Sequence, residues 1–238
     1  MRKYLMLCLS ILLLLAFLVS PALALGYYRV NILVAYDEEW QWIAQYIYAY
    51  SPETLAYVIM LEACPRFSQF DIRFYITSYV SWDSNDNPAN EDVMMNESIS
   101  ETNFETGMEI GYYEIDVLIA FTGQDIPNVL GYSDSALGVV LVEHAYPDGV
   151  GQATDNILQH ELSHLYGALE DNVEGLNCVM NRHLCYIGFP WGWVPTALTT
   201  TNWCSNCVET INSNRTLWGY YCTSGGGGAN PRWLKCAW

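Results

Sequence analysis

Hydrophobic and polar positions change period several times along the chain, and each change marks an element. Arg29 to Tyr36 (RVNILVAY) is rich in β-formers and nearly unbroken in apolar residues. Glu38 to Tyr50 carries aromatics at helical spacing. Ser51-Pro52-Glu53 then reads as a helix start, with serine as N-cap, proline at the first helical position and an acid in the first turn. That helix runs through Ala56, Val58, Ile59 and Leu61 and ends near Cys64-Pro65. Phe70 to Val80 alternates and is aromatic, which predicts a second strand. A polar loop over Asp83 to Asp92 leads into a helix through Met94 to Phe104. Ile115 to Phe121 (IDVLIAF) is a short continuous apolar run, the mark of a central strand, and Gly138 to Glu143 (GVVLVE) predicts a fourth. Leu158, Leu162 and Leu165 then repeat at helical spacing. Beyond Gly167 the chain is rich in Gly, Pro, Trp and Cys, with one more helix expected over Cys204 to Asn212. Alternating strands and helices predict an α/β (α+β) fold, a mixed sheet with helices packed on it.

The first two dozen residues stand outside this pattern. Arg2 and Lys3 precede an apolar run from Leu5 to Val19, Pro21 breaks it, and Ala22-Leu23-Ala24 gives an A-x-A cleavage pattern. Residues 1–24 therefore read as a signal peptide, and the run is shorter than the roughly 20 residues of a spanning helix. An uncleaved N-terminal anchor is the alternative. Cleavage leaves 25–238 as a single secreted, extracellular domain with no stable membrane anchor, and Ser224 to Asn230 (SGGGGAN) as a flexible tail. The mature chain keeps 7 basic residues against 26 acidic ones, a net charge of −19. That balance argues against nucleic acid or an anionic membrane as partner.

Seven cysteines remain after cleavage: Cys64, Cys178, Cys185, Cys204, Cys207, Cys222 and Cys236. Export makes disulfides the default reading, so the loop-rich C-terminal third is expected to be disulfide-braced. Seven is odd, which leaves at least one thiol free, on a metal, or paired with another chain.

The chemistry concentrates in Thr154 to Asp171 (TDNILQHELSHLYGALED). His160 and His164 are i and i+4 on a helix, about 6 Å apart along the axis, and can share one Zn²⁺. Glu161 follows the first histidine and can reach a zinc-activated water without binding the metal. It would act as general base and then pass the proton to a leaving amine. Only four histidines occur in the chain and two are in this motif, which weighs against an accidental match. Gly167, three residues on, suits a left-handed C-cap that turns the chain back toward the metal.

The pattern H-E-x-x-H-x-x-G-x-x-E-D, followed by Cys178-Val179-Met180 and Cys204-Ser205-Asn206-Cys207, resembles the metzincin zinc peptidases and within them the archaemetzincin-like group. The specific similarity spans Asn156 to Cys207. The resemblance implies a secreted zinc endopeptidase acting on protein or peptide substrates. It implies a third ligand at Glu170, with Asp171 as alternate, and a Met-turn at Met180. It also implies that Gly138 to Glu143 is the edge strand that pairs with substrate backbone. The cysteine that follows the third ligand in archaemetzincins is here Asp171, so one catalytic zinc is expected. A second, structural zinc on Cys178, Cys185, Cys204 and Cys207 is the lesser reading, behind disulfides.

Other features read more plainly. His144 and His183 are structural histidines with a possible contact to substrate. Asp83, Asn85 and Asn87 form half of a Ca²⁺ loop, but Pro88 and Met94 stand where that loop needs Gly and Glu, which leaves a polar turn. Asn96 and Asn214 head glycosylation sequons. The rival function is a non-catalytic secreted surface or binding protein that keeps zinc for structure, against which Glu161 argues because a structural site needs no base.

Overall fold

The computed structural model describes residues 26–85, 88–110, 113–126, 129–144, 152–170, 178–180, 185–189, 192–196 and 200–222. The first apolar run becomes β1 (Tyr27–Tyr36), and everything else is arranged about it. A run with no polar face must be covered on both sides. Val30, Ile32 and Val34 pack into one core, and Leu33 and Ala35 into another. β2 (Ile72–Ser81) lies parallel along one side of β1. The other side is shared by β5 (Val117–Thr122), which is parallel, and β10 (Tyr220–Cys222), which runs antiparallel against Tyr27 to Arg29. β7 (Val139–Glu143) extends the sheet parallel to β5, and β6 (Gly131–Asp134) closes it antiparallel to β7. The hairpins β3 (Glu109–Ile110) with β4 (Tyr113–Glu114), and β8 (Cys185–Phe189) with β9 (Gly192–Thr196), complete the strands among the described residues.

One expectation is corrected here. The segment over Gly138 to Glu143 is not the edge of the sheet, because β6 lies outside it. Gly131 to Asp134 (GYSD) is short and polar and carries no hydrophobic alternation, so its pattern hides it.

α1 (Glu38–Tyr46), α2 (Pro52–Ala63), α4 (Gln152–Leu165) and α5 (Ser205–Asn214) cover one face, and α3 (Glu91–Thr102) the other. Ser51 caps α2 through Thr54 N–H, with Pro52 at its start, as the sequence predicts. Asp37 caps α1 and also accepts from Gly123 N–H and the Thr122 hydroxyl, which ties the ends of β1 and β5 together. No helix among the described residues is long and apolar enough to cross a membrane.

Candidate metal centre

α4 is held on two sides before its chemistry begins. Ile157, Leu158, Leu162 and Leu165 are buried in the larger core. On another face Asp155, Asn156 and Gln159 receive the Arg66 guanidinium, at 2.9 Å for Asn156 and 2.6 Å for Gln159, with Asp155 as its ionic partner. A charge so well coordinated fixes the helix's rotation; removing one partner would leave the other buried and costly. The remaining face carries His160, Glu161 and His164.

Both imidazoles are oriented from behind. His160 Nδ1 lies 2.8 Å from the Val179 carbonyl, and His164 Nδ1 lies 2.7 Å from the Ala168 carbonyl. A carbonyl can only accept, so each Nδ1 carries the proton and each Nε2 presents a lone pair. The two Nε2 atoms face one another at 3.1 Å. Two lone pairs at that distance repel unless a cation lies between them. Nitrogens bound at about 2.0–2.1 Å to a tetrahedral ion stand about 3.3 Å apart, so the spacing fits a shared metal. Burial depresses the basicity of both rings, which keeps them neutral as ligands must be.

The turn after the helix supplies more. Gly167 adopts φ +79°, Gly167 N–H donates to the His164 carbonyl and Ala168 N–H to the Ser163 carbonyl, the paired bonds of a Schellman cap. A side chain there is strained by the positive φ, and a Cβ would stand 2.7 Å from Asn214 Nδ2, which would have to move. The cap delivers the Ala168 carbonyl to His164 and brings Glu170 round, so that ligand atoms of His160, His164 and Glu170 lie within 4.8 Å of one another. Asp171, the alternate ligand, lies outside the described residues, as does His183.

Glu161 is nearly inaccessible, and burial pushes its carboxyl up to about 7. Its Oε1 stands 4.0 Å from His160 Nε2, beside the pair rather than in it, and its Oε2 accepts from the Ser133 hydroxyl at 2.9 Å. Met180 is fully buried in the same core, one residue after the carbonyl that holds His160. The segment is pinned by Val179 N–H donating to the Asn202 carbonyl at 2.7 Å. His144 hydrogen-bonds Tyr48 at 3.0 Å and packs edge-on to Trp40.

The expectation of disulfides in the C-terminal third holds at Cys222 and fails at three other cysteines. Cys178, Cys204 and Cys207 are not disulfide-bonded. Their sulfurs converge, with Cys207 at 3.4 Å from Cys204 and 3.8 Å from Cys178. A disulfide would need about 2.05 Å, whereas thiolates on one tetrahedral zinc stand about 3.8 Å apart. Cys204 N–H also points at Cys178 Sγ, at 3.2 Å. Burial and the neighbouring thiols push the Cys207 thiol well up, a crowding that metal binding relieves by displacing protons. The side chain of Cys185 lies outside the described residues. Cys222 is disulfide-bonded.

The sequence reading missed Ser133, the Val179 and Ala168 carbonyls, and Trp203, whose indole N–H donates to Ser163 Oγ at 2.8 Å. Carbonyls leave no trace in residue identity. Ser133 belongs to the strand that the pattern concealed.

No protein family and no curated protein matches the sequence. Among solved structures, a zinc-dependent peptidase from Methanocorpusculum labreanum aligns over 76% of this chain and 99% of its own, at 13% identity and a TM-score of 0.49. A chain from the structure of a chaperone–substrate complex aligns over 79% of this chain at 10% identity and the same TM-score, and the alignment spans about a third (34%) of that chain's length. Likeness at this level carries no functional weight, and the site's own geometry has to decide.

Proposed function

We propose that this chain is a zinc-dependent endopeptidase of the metzincin kind. The observation that carries the reading is the pair of Nε2 atoms 3.1 Å apart, each with its Nδ1 committed to a carbonyl, and Glu170 within reach. His160, His164 and Glu170 would hold the ion. Zinc bound there supplies Lewis acidity toward the scissile carbonyl and makes water more acidic. Glu161, buried beside the pair and not among its ligands, takes a proton from the attacking water and returns it to the leaving amine. Asp171 stays the alternate ligand, and Met180 forms the apolar floor.

Substrate would lie along β6. Glu143 N–H donates to the Leu130 carbonyl, so in the antiparallel ladder residues 130, 132 and 134 turn their backbone groups to β7. Gly131 and Ser133 turn theirs outward, where no strand pairs with β6 among the described residues. An extended peptide can add there as a further strand. Export is part of the proposal and rests on the leader-like sequence of residues 1–24, so the secreted protein should begin at Leu25 by N-terminal sequencing. The three thiols support a second, structural metal beside the catalytic one.

The test is metal analysis of the purified protein together with hydrolysis of denatured casein, before and after chelation. Bound zinc with chelator-sensitive, zinc-restored cleavage is expected. Zinc-loaded protein that leaves casein and a mixed peptide library intact would sink the reading in favour of a zinc-braced binding protein.

A further inference from the structure

The general base hangs on a side chain with three rotatable bonds, so something must fix where its carboxylate points. β6 does this at two positions. Gly131 and Ser133, two residues apart on one strand, face α4 together. The Ser133 hydroxyl donates to Glu161 Oε2 at 2.9 Å, which leaves Oε1 as the oxygen on the metal side, 4.0 Å from His160 Nε2. A Cβ on Gly131 would come within 2.8 Å of Glu161 Cγ, 2.9 Å of Oε1 and 2.8 Å of Ile157 Cγ2. The strand therefore lies against the glutamate stem as closely as backbone allows, and a methyl group there would displace the base.

From this contact we infer that Ser133 is a positioning residue for the peptidase reaction: it anchors one oxygen of Glu161 so that the other faces the attacking water, in the space that Gly131 leaves open. The inference rests on the peptidase reading above. It makes β6 serve two ends, since the strand whose outer edge receives the peptide backbone also aligns the base. Seating of substrate and placement of the base are then properties of a single four-residue segment.

Steady-state kinetics on one fluorogenic peptide, with zinc content and thermal midpoint as controls, test it. Ser133→Ala should keep zinc and KM within about twofold and lower kcat about 10- to 100-fold, the scale of a small misplacement of a reacting group. Ser133→Thr keeps the hydroxyl and suits a strand, so it should recover most of the lost kcat. Gly131→Ala should also lower kcat with zinc retained. Wild-type kcat in Ser133→Ala overturns the inference and leaves the peptidase reading standing. A loss accompanied by zinc release, or one that threonine does not restore, also overturns it by assigning Ser133 an ordinary structural role. A zinc-loaded wild-type chain without turnover removes the peptidase reading and this inference together.

Discussion

Glu161, His160 and His164 differ in what fixes them, and their variants should differ accordingly. Glu161 Oε1 comes no nearer than 4.0 Å to His160 Nε2. Glu161→Gln should therefore retain zinc by elemental analysis and lose about 10²- to 10⁴-fold in kcat, the usual worth of a positioned base. Zinc loss in that variant would make Glu161 a ligand and the assignment wrong. Glu170→Ala should weaken zinc in a competition titration and lower activity in parallel, while Asp171→Ala should be mild; the reverse order would move the ligand to Asp171. At this scale the sequence was informative wherever side-chain identity carries the chemistry, because helical spacing alone brings His160 and His164 together. It was silent on what aims them, since the Val179 and Ala168 carbonyls belong to the backbone.

Elements with a long apolar period were legible, and short polar ones were not. β1, α2 and β5 follow from continuous runs or caps, while β6 offers Gly, Tyr, Ser and Asp and was overlooked, which moved the expected substrate edge one strand inward. The loop entering β6 is tied to β7 by Ile126 N–H donating to Glu143 Oε2 at 2.7 Å. Burial raises the Glu143 carboxyl from 4.5 to about 8. A raised folded-state value means that the folded chain holds this proton between those two pH values while the unfolded chain has lost it. Stability from this group is thus present at low pH and declines as pH rises through the window. Glu143→Gln, which keeps an acceptor for Ile126, should raise the thermal midpoint at pH 8 by a few degrees and change little at pH 4. An unchanged slope of midpoint against pH would show that Glu143 is ionised at no cost.

For the molecule as a whole, the sheet with its two cores was legible in the hydrophobic pattern, and the C-terminal third was not. Export favoured disulfides, the odd cysteine count required only that one thiol stay out of them, and neither could reveal that Cys178, Cys204 and Cys207 meet at one point. That cluster joins the segment carrying Val179 to α5, so it braces the carbonyl behind His160. Zinc analysis should find two equivalents per chain. Cys207→Ser should leave one and lower the thermal midpoint, with activity declining through a loosened His160. One equivalent in the parent protein, with all three thiols alkylated rapidly without denaturant, would confine metal to the histidine site.

β10 meets β1 at Tyr27 to Arg29, so the beginning of the described sheet is closed by its end. Trp203, Asn214 and Trp218, all contributed late in the chain, donate to Ser163, Tyr166 and Leu165 at the far end of the histidine helix. A growing polypeptide leaves the ribosome with its first residues foremost, so the histidines emerge well before the groups that lock their helix. Until synthesis passes Cys222, the growing chain lacks both the last described strand and this clasp. The order of translation therefore sets an order of assembly, in which the helix bearing the two histidines is made first and is clasped only once residues 203 to 222 have followed it out.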